Sequence, residues 1–196
     1  MPAVYDRFAA NYDKLIAPLE RWGLARLRKE TLESLPEESR VLEIGAGTGS
    51  NFPFYPAGAR GVASELSCEM LKIACGKARP DGVHLVQAGA EQLPFPDASF
   101  DAAFATLVFC SVASPQKSFS ELRRVVRPGG TVALLEHVRP KGILGPLFDA
   151  LSLLTVALFE DHFNRRTAEE ARRAGFQILR VDRRLLGIVN IIVCRN

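Results

Sequence analysis

The chain has 196 residues, enough for one domain with a full core. Apolar residues make up 47% and charged residues 24%, which argues against a disordered chain. The net charge is +3, and the four cysteines form no CxxC pair beside only three histidines, so no metal site is expected and the thiols fit a reducing, cytoplasmic setting.

An amphipathic helical region, 5–34, comes first, with Tyr5, Phe8 and Tyr12 at helical spacing. A buried strand, 40–44, then breaks into the glycine loop of VLEIGAGTG and opens a helix. Val41, Leu42 and Ile44 are the β-formers, while Gly45, Gly47 and Gly49 let the backbone lie directly against a ligand. Glu43, inside the apolar run, needs a partner and is expected at the carboxyl edge of a parallel sheet, facing the ligand crevice. Further strands are predicted at 61–64, 83–87, 100–105 and 131–136, with a helix end at 123–130 stopped by Pro128 and Gly129. An apolar helical insert, 143–159, precedes a helix at 167–174 closed by Gly175, and 176–181 and 188–194 are β-rich. Short apolar strands alternating with helices argue for an α/β fold with a parallel, doubly wound sheet. No internal repeat or low-complexity tract is expected, and MPAVYDRFAANYD lacks the apolar core of a secretory signal.

Glu65 ends the second strand roughly 20 residues beyond the loop, where α/β folds place the acceptor for a ribose diol. Its two oxygens suit such a diol; the plain alternative is a solvated strand-end charge. Ser67 reads as the N-cap of the next helix. The loop spacing is E-x-G-x-G-x-G, with Ser50 where a dinucleotide fingerprint has its third glycine, and no P-loop pattern occurs. An NAD(P)-dependent oxidoreductase is therefore disfavoured.

These residues resemble motif I of class I S-adenosylmethionine-dependent methyltransferases of the type 11, quinone-biosynthesis-like group. Glu65-Leu66-Ser67-Cys68-Glu69-Met70-Leu71 matches the family's D-x-S-x-x-M-L with Glu for Asp. AEQLPFPDASFD resembles the family's loop after the third strand, and RRVVRPGG its R-x-L-x-P-G-G hallmark. The resemblance implies a Rossmann-like, seven-stranded, mostly parallel sheet with helices on both faces, in a single domain. Its parts would be a helical lid (1–38), a cofactor-binding core (39–138), a substrate-side insert (139–166) and a C-terminal helix and strand pair (167–196). It implies S-adenosyl-L-methionine as cofactor and S-adenosyl-L-homocysteine as product. The residues it implies for cofactor binding are Tyr5, Tyr12, Glu43, Gly45, Ala46, Gly47, Thr48, Gly49, Asn51, Glu65, Leu66, Met70, Gly89, Ala90, Glu91, Thr106, Leu107 and Val108. Gly89 stands where the family has the Asp that accepts from the adenine amino group. Glu91, or carbonyls near Ala90 and Gln92, are the substitutes, with the Ala90 N–H left to read a ring nitrogen.

The opening Y-D-x-x-A-x-x-Y-D is similar to that of quinone-type and lipid methyltransferases, whose first helix lids the cofactor and sets its tyrosines against cofactor or acceptor. That would make Tyr5 and Tyr12 part of the catalytic centre; the simpler reading is an aromatic stripe packed on the core. His137, at the end of the fifth strand, is either a general base or a hydrogen-bonded structural imidazole. Asp161 and His162 are weaker candidates, and His84 reads as structural. The insert is shorter than a spanning helix of about 20 residues and is interrupted by Pro146 and Asp149. It reads as a substrate-cavity lid or an interfacial helix, or as a plain buried helix. From Arg139 onward the chain carries ten Lys or Arg against six Asp or Glu, and Arg165, Arg166, Arg172 and Arg173 would favour an anionic membrane surface. Nucleic acid is not an expected partner, because basic and aromatic residues do not interleave. LVFCSV and LLEHVRP look like both bacterial phosphatidylethanolamine N-methyltransferases and membrane-associated thiol methyltransferases. The expected acceptor is a lipophilic small molecule or lipid, the phospholipid amine ahead of the alternatives, a quinone precursor or a small thiol. A non-catalytic cofactor-binding module is the alternative from another class.

Overall fold

In the computed structural model of the chain, residues 2–137, 166–185 and 188–196 are described. The predicted insert at 143–159, with Asp161, His162 and Arg165, lies outside the described residues.

Seven strands form one sheet in the order β3-β2-β1-β4-β5-β7-β6. They are β1 (Arg40–Ile44), β2 (Arg60–Glu65), β3 (Val83–Gln87), β4 (Phe100–Thr106), β5 (Val126–His137), β6 (Gln177–Arg184) and β7 (Val189–Arg195). β1 to β5 pair in parallel, whereas β7 runs antiparallel to both β5 and β6. This is the Rossmann-like methyltransferase sheet that the motif resemblance implied. The chain leaves β1 toward β2 on one side and returns to β4 on the other, so the β1/β4 boundary is the switch point where such sheets open a crevice.

Strand alternation sorts the core into two layers. Leu42, Ile44, Ala103, Ala105 and Leu134 pack with Phe119 and Leu122 of α4 (Pro115–Val125) and Ala171 of α5 (Thr167–Arg173). The opposite parity, Val41, Ala102, Phe104 and Ala133, meets Leu32 of α2 (Ala25–Leu32). Ala63 of β2 packs with Ala74 of α3 (Cys68–Cys75) and with Phe52. Glu43 shares the parity of Val41, and Thr106 that of Phe104. Both therefore point into the layer beneath α2.

The N-terminal region is not one helix. α1 (Pro2–Leu19) runs into a wide turn, Glu20–Leu24, before α2 begins, and Gly23 there has φ 136°. Pro18, which lacks an N–H to continue the ladder, precedes that turn. α4 ends at Val125, three residues before the expected stop at Pro128, because Val126 is already extended and paired with Phe100. Pro128 and the glycines after it fall in the register irregularity between Phe100 and Ala102, a position that tolerates a missing donor.

Candidate functional site

The crevice is built from the carboxyl ends of β2, β1, β4 and β5. At β1, Gly45 and Gly47 have φ values of 67° and 56°, backbone that side chains rarely adopt. A Cβ on Gly45 would sit 2.5 Å from Val108 Cγ2, so this glycine lets the β4 exit close against the loop. A Cβ on Gly47 would meet nothing within 4 Å, so the peptide there borders open space.

Beside that open space, in direct contact with the loop, stands Glu65, 9% exposed. The Gly47 N–H donates to its Oε2 and the Ser67 N–H to its Oε1, both at 2.8 Å. Burial raises the Glu65 carboxyl above its ordinary range, and the backbone donors only partly oppose this. Each oxygen keeps a lone pair for a further donor. Leu66, 42% exposed, follows it and lies 3.4 Å from where a Cβ of Gly89 would be. The two form an open apolar shelf with Ala90 behind them.

At the β4 end, Leu107 has φ 59°, an uncommon state for a bulky residue, and its N–H donates to Leu135 O at 2.7 Å. Glu136, fully buried, accepts from the N–H groups of Val108 (3.1 Å) and Phe109 (3.0 Å) through Oε1. The acid at the end of β5 thus shapes the turn that presents Leu107 and Val108. His137 follows on the face shared by Ala133 and Leu135 and is half-buried.

Behind the glycine loop lies a polar cluster that differs from the sequence expectation. Glu43 does not face the crevice. It is fully buried, its Oε1 accepting from Asn51 Nδ2 (2.6 Å) and its Oε2 from the Tyr55 hydroxyl (2.6 Å). Strand parity explains this, since Glu43 points toward α2. Burial pushes its carboxyl up to about 7 against the pull of Asn51, Tyr55 and the Arg28 charge. Asn51 also donates to Thr106 Oγ1 at 2.9 Å, so its amide serves the cluster rather than the crevice. Arg28, 3% exposed, donates through Nη1 to Asn51 Oδ1 (3.0 Å) and to Thr106 Oγ1, and through Nε to Glu20 (2.9 Å). Among the described residues no acceptor meets its Nη2.

α1 spans the loop. Asp13 accepts from the Thr48 hydroxyl (2.5 Å) and pairs with Lys77 (2.7 Å). Burial alone would raise its carboxyl, but Lys77 and Thr48 together hold it below the ordinary value. Two turns earlier, Asp6 accepts from Ser67 Oγ and from the Glu69 N–H (3.4 Å). One helix face is thus bonded both to the glycine loop and to the N-terminus of α3. Tyr5 and Tyr12, half-buried, lie beside these aspartates in the same helix.

Other expected contacts fall elsewhere. Thr48 is fully buried with its hydroxyl committed to Asp13, and Ala46 and Met70 are buried beneath the loop and α3. Glu91 Oε1 accepts from the Ser114 N–H at 2.7 Å and so caps the approach to α4 rather than reaching toward Gly89. Sequence reasoning missed Arg28, Tyr55, Asp6 and Asp13. Among the described residues no group of three or more His, Cys, Asp or Glu could hold a metal ion, and no helix is long and apolar enough to cross a membrane.

Residues 42–134 match the family described as methyltransferase domain. The chain carries a class I S-adenosylmethionine-dependent methyltransferase domain. It is 32% identical over 160 residues to thiol S-methyltransferase TMT1B of Rattus norvegicus, covering 77% of this chain and 65% of that protein. It is 36% identical over 165 residues to the ubiquinone/menaquinone biosynthesis C-methyltransferase UbiE of Vibrio campbellii, covering 76% of this chain and 62% of that one. The chain thus spans less than two thirds of the length of either relative. A solved SAM-dependent methyltransferase from Thermotoga maritima, titled a possible histamine N-methyltransferase, superposes over 100% of this chain and 99% of its own at TM-score 0.77. At 22% identity, that likeness bears on fold alone.

The crevice fits S-adenosyl-L-methionine, the cofactor of this domain type. It offers open space over Gly47, a carboxylate for a diol at Glu65 and an apolar shelf at Leu66.

Proposed function

We propose that the protein transfers a methyl group from S-adenosyl-L-methionine to a lipophilic small molecule, a thiol or a quinone precursor. The observation that carries this reading is the open backbone at Gly47, hydrogen-bonded to the Glu65 carboxylate at the β1/β2 exits. The relatives named for thiol and quinone-precursor methylation support the acceptor class. Phosphatidylethanolamine is kept as a third acceptor to be tested.

The bound cofactor supplies a methyl group already activated by its sulfonium. Glu65 would receive the ribose hydroxyls, and Leu66, Gly89 and the Ala90 N–H the adenine. Gly45 and Gly47 would hold the methionine end, with Leu107 and Val108 on the β4 side. Arg28, through Nη2, would receive the methionine carboxylate. Glu43 and Asn51 act one step back: they hold Arg28, Thr106 and the loop in place and make no ligand contact. α1 is the lid, latched through Asp6 and Asp13, and it excludes water from the reacting atoms with Tyr5 and Tyr12 on its inner side. His137 takes the proton from the acceptor thiol or hydroxyl. The setting is cytoplasmic, with peripheral contact between the 143–159 segment and an anionic membrane.

The test is mass spectrometry after incubation with S-adenosyl-L-methionine and three acceptor pools: lipophilic thiols, demethylated quinone precursors and phosphatidylethanolamine vesicles. One methyl added in the thiol or quinone pool supports the reading. Transfer to phosphatidylethanolamine alone replaces the acceptor class, and transfer to none, with cofactor bound, overturns the enzymatic reading.

A further inference from the structure

α1 and the turn that follows it carry a short repeat. An acid, a cation and an apolar residue recur every seven residues, as Asp6-Arg7-Phe8, Asp13-Lys14-Leu15 and Glu20-Arg21-Trp22. Seven residues make nearly two helical turns, so each class forms its own stripe. The structure separates the stripes by direction. All three acids face the domain, where Asp6 meets Ser67, Asp13 meets Thr48 and Lys77, and Glu20 meets Arg28. The cations and apolar residues face out. Leu15 is 63% exposed, Leu19 52% and Trp22 89%. The other exposed positions of 7–22 are Arg7, Phe8, Ala10, Asn11, Lys14, Pro18 and Arg21, so this face holds three cations and no carboxylate.

Folding alone gives no reason to expose Trp22 and two leucines so fully, and large apolar side chains grouped on one face mark an interaction surface. The composition points to one occupant. A stripe of Leu and Trp flanked by Lys and Arg, on a helix lying flat against its domain, has the make-up of a helix seated at a lipid–water interface. Trp belongs at headgroup depth, and the basic stripe complements anionic headgroups.

We propose that the outward face of α1 and the turn after it, centred on Leu15, Leu19 and Trp22 and flanked by Arg7, Lys14 and Arg21, docks on an anionic lipid surface. This deepens the membrane contact proposed above by assigning it a second, independent surface, and it does not depend on the methyl acceptor. The helix that latches over the glycine loop with its acids would then rest on lipid with its opposite face. The crevice would lie one helix diameter, about 10 Å, from the headgroups. A lipophilic acceptor would have a short path from membrane to site.

Trp22 is the chain's single tryptophan, so its emission reports on this surface alone. The full chain is titrated with phosphatidylcholine vesicles and with vesicles mixing phosphatidylcholine and phosphatidylglycerol, while flotation measures total binding. The proposal expects a blue shift of Trp22 and co-flotation with the mixed vesicles only, both reduced by salt. Lys14→Gln and Arg21→Gln should each weaken partition about fivefold, the factor for one cation near an anionic surface. Leu15→Ser should weaken it further while leaving S-adenosyl-L-homocysteine affinity unchanged. Co-flotation without any change in Trp22 emission would overturn this surface and leave only the 143–159 contact. Absence of flotation would overturn both. A concentration-dependent blue shift without vesicles, matched by dimer in sedimentation, would overturn the lipid assignment in favour of a second copy of the chain.

Discussion

The Glu43 carboxyl makes the stability of this protein depend on pH in a direction opposite to that of ordinary surface acids. Burial holds it at about 7, against 4.5 when the chain is unfolded. Between those values the native state keeps a proton that the unfolded state has released. The contribution of this group is therefore greatest below about pH 4.5, falls as pH rises toward 7, and is constant above. Its size is about 3 kcal/mol, at about 1.4 kcal/mol for each tenfold change in proton affinity. Glu65, also raised by burial, acts in the same direction. Asp13, Glu30, Asp101 and Glu121 are all lowered by their partners, so their losses fall below pH 4.5, outside this window. Glu43→Gln mimics the protonated acid: its carbonyl accepts from Asn51, and its amide donates to the Tyr55 oxygen once that hydroxyl turns. Urea unfolding of both proteins from about pH 5 to pH 8 gives the difference directly. The variant should gain on the wild type by about 2 to 3 kcal/mol across the range. A difference that stays constant with pH would show Glu43 ionised at its ordinary value and refute the argument.

Four further outcomes follow from the site. Arg28→Met should weaken S-adenosyl-L-homocysteine binding by about tenfold to a hundredfold, the value of a hydrogen bond to a charged group. It should leave 5′-methylthioadenosine, which lacks the amino-acid part, unaffected. Equal losses for both ligands in calorimetry would reduce Arg28 to a support for Asn51. Asp13→Ala should speed cofactor release about fivefold by removing a latch bond of about 1 kcal/mol, read by stopped-flow displacement; an unchanged rate would show that α1 does not gate the site. His137→Ala should lower kcat with KM for the cofactor unchanged, and a normal kcat would return the imidazole to the scaffold. Glu65→Ala should cost about 1–3 kcal/mol of cofactor affinity, the penalty for unpaired polar groups.

Much of the fold was legible because strands and the glycine loop are local signals. The apolar run of Val41, Leu42 and Ile44, the loop spacing and the acid at 65 all sit within 25 residues of one another, and the sheet followed. The C-terminal pair was legible only through family resemblance, since apolar runs do not report strand direction. The positions whose hydrogen-bond partners the sequence did not foretell share a cause. Glu43, Asn51 and Glu91 were expected at the ligand, but their orientation depends on strand parity against α2 and on partners far along the chain, such as Ser114 for Glu91. Arg28 reaches Thr106 across 78 positions, a contact no local pattern encodes. Asp6 and Asp13 did carry a signal, the seven-residue recurrence of acid, cation and apolar residue.

The central claim is that bare backbone at Gly47 and the acid at Glu65 form the cofactor berth, and calorimetric titration with S-adenosyl-L-homocysteine tests it most directly. The wild type should bind one equivalent, and Gly47→Val should bind none while melting as a folded protein. Equal affinity in the wild type and a folded Gly47→Val protein would contradict the account.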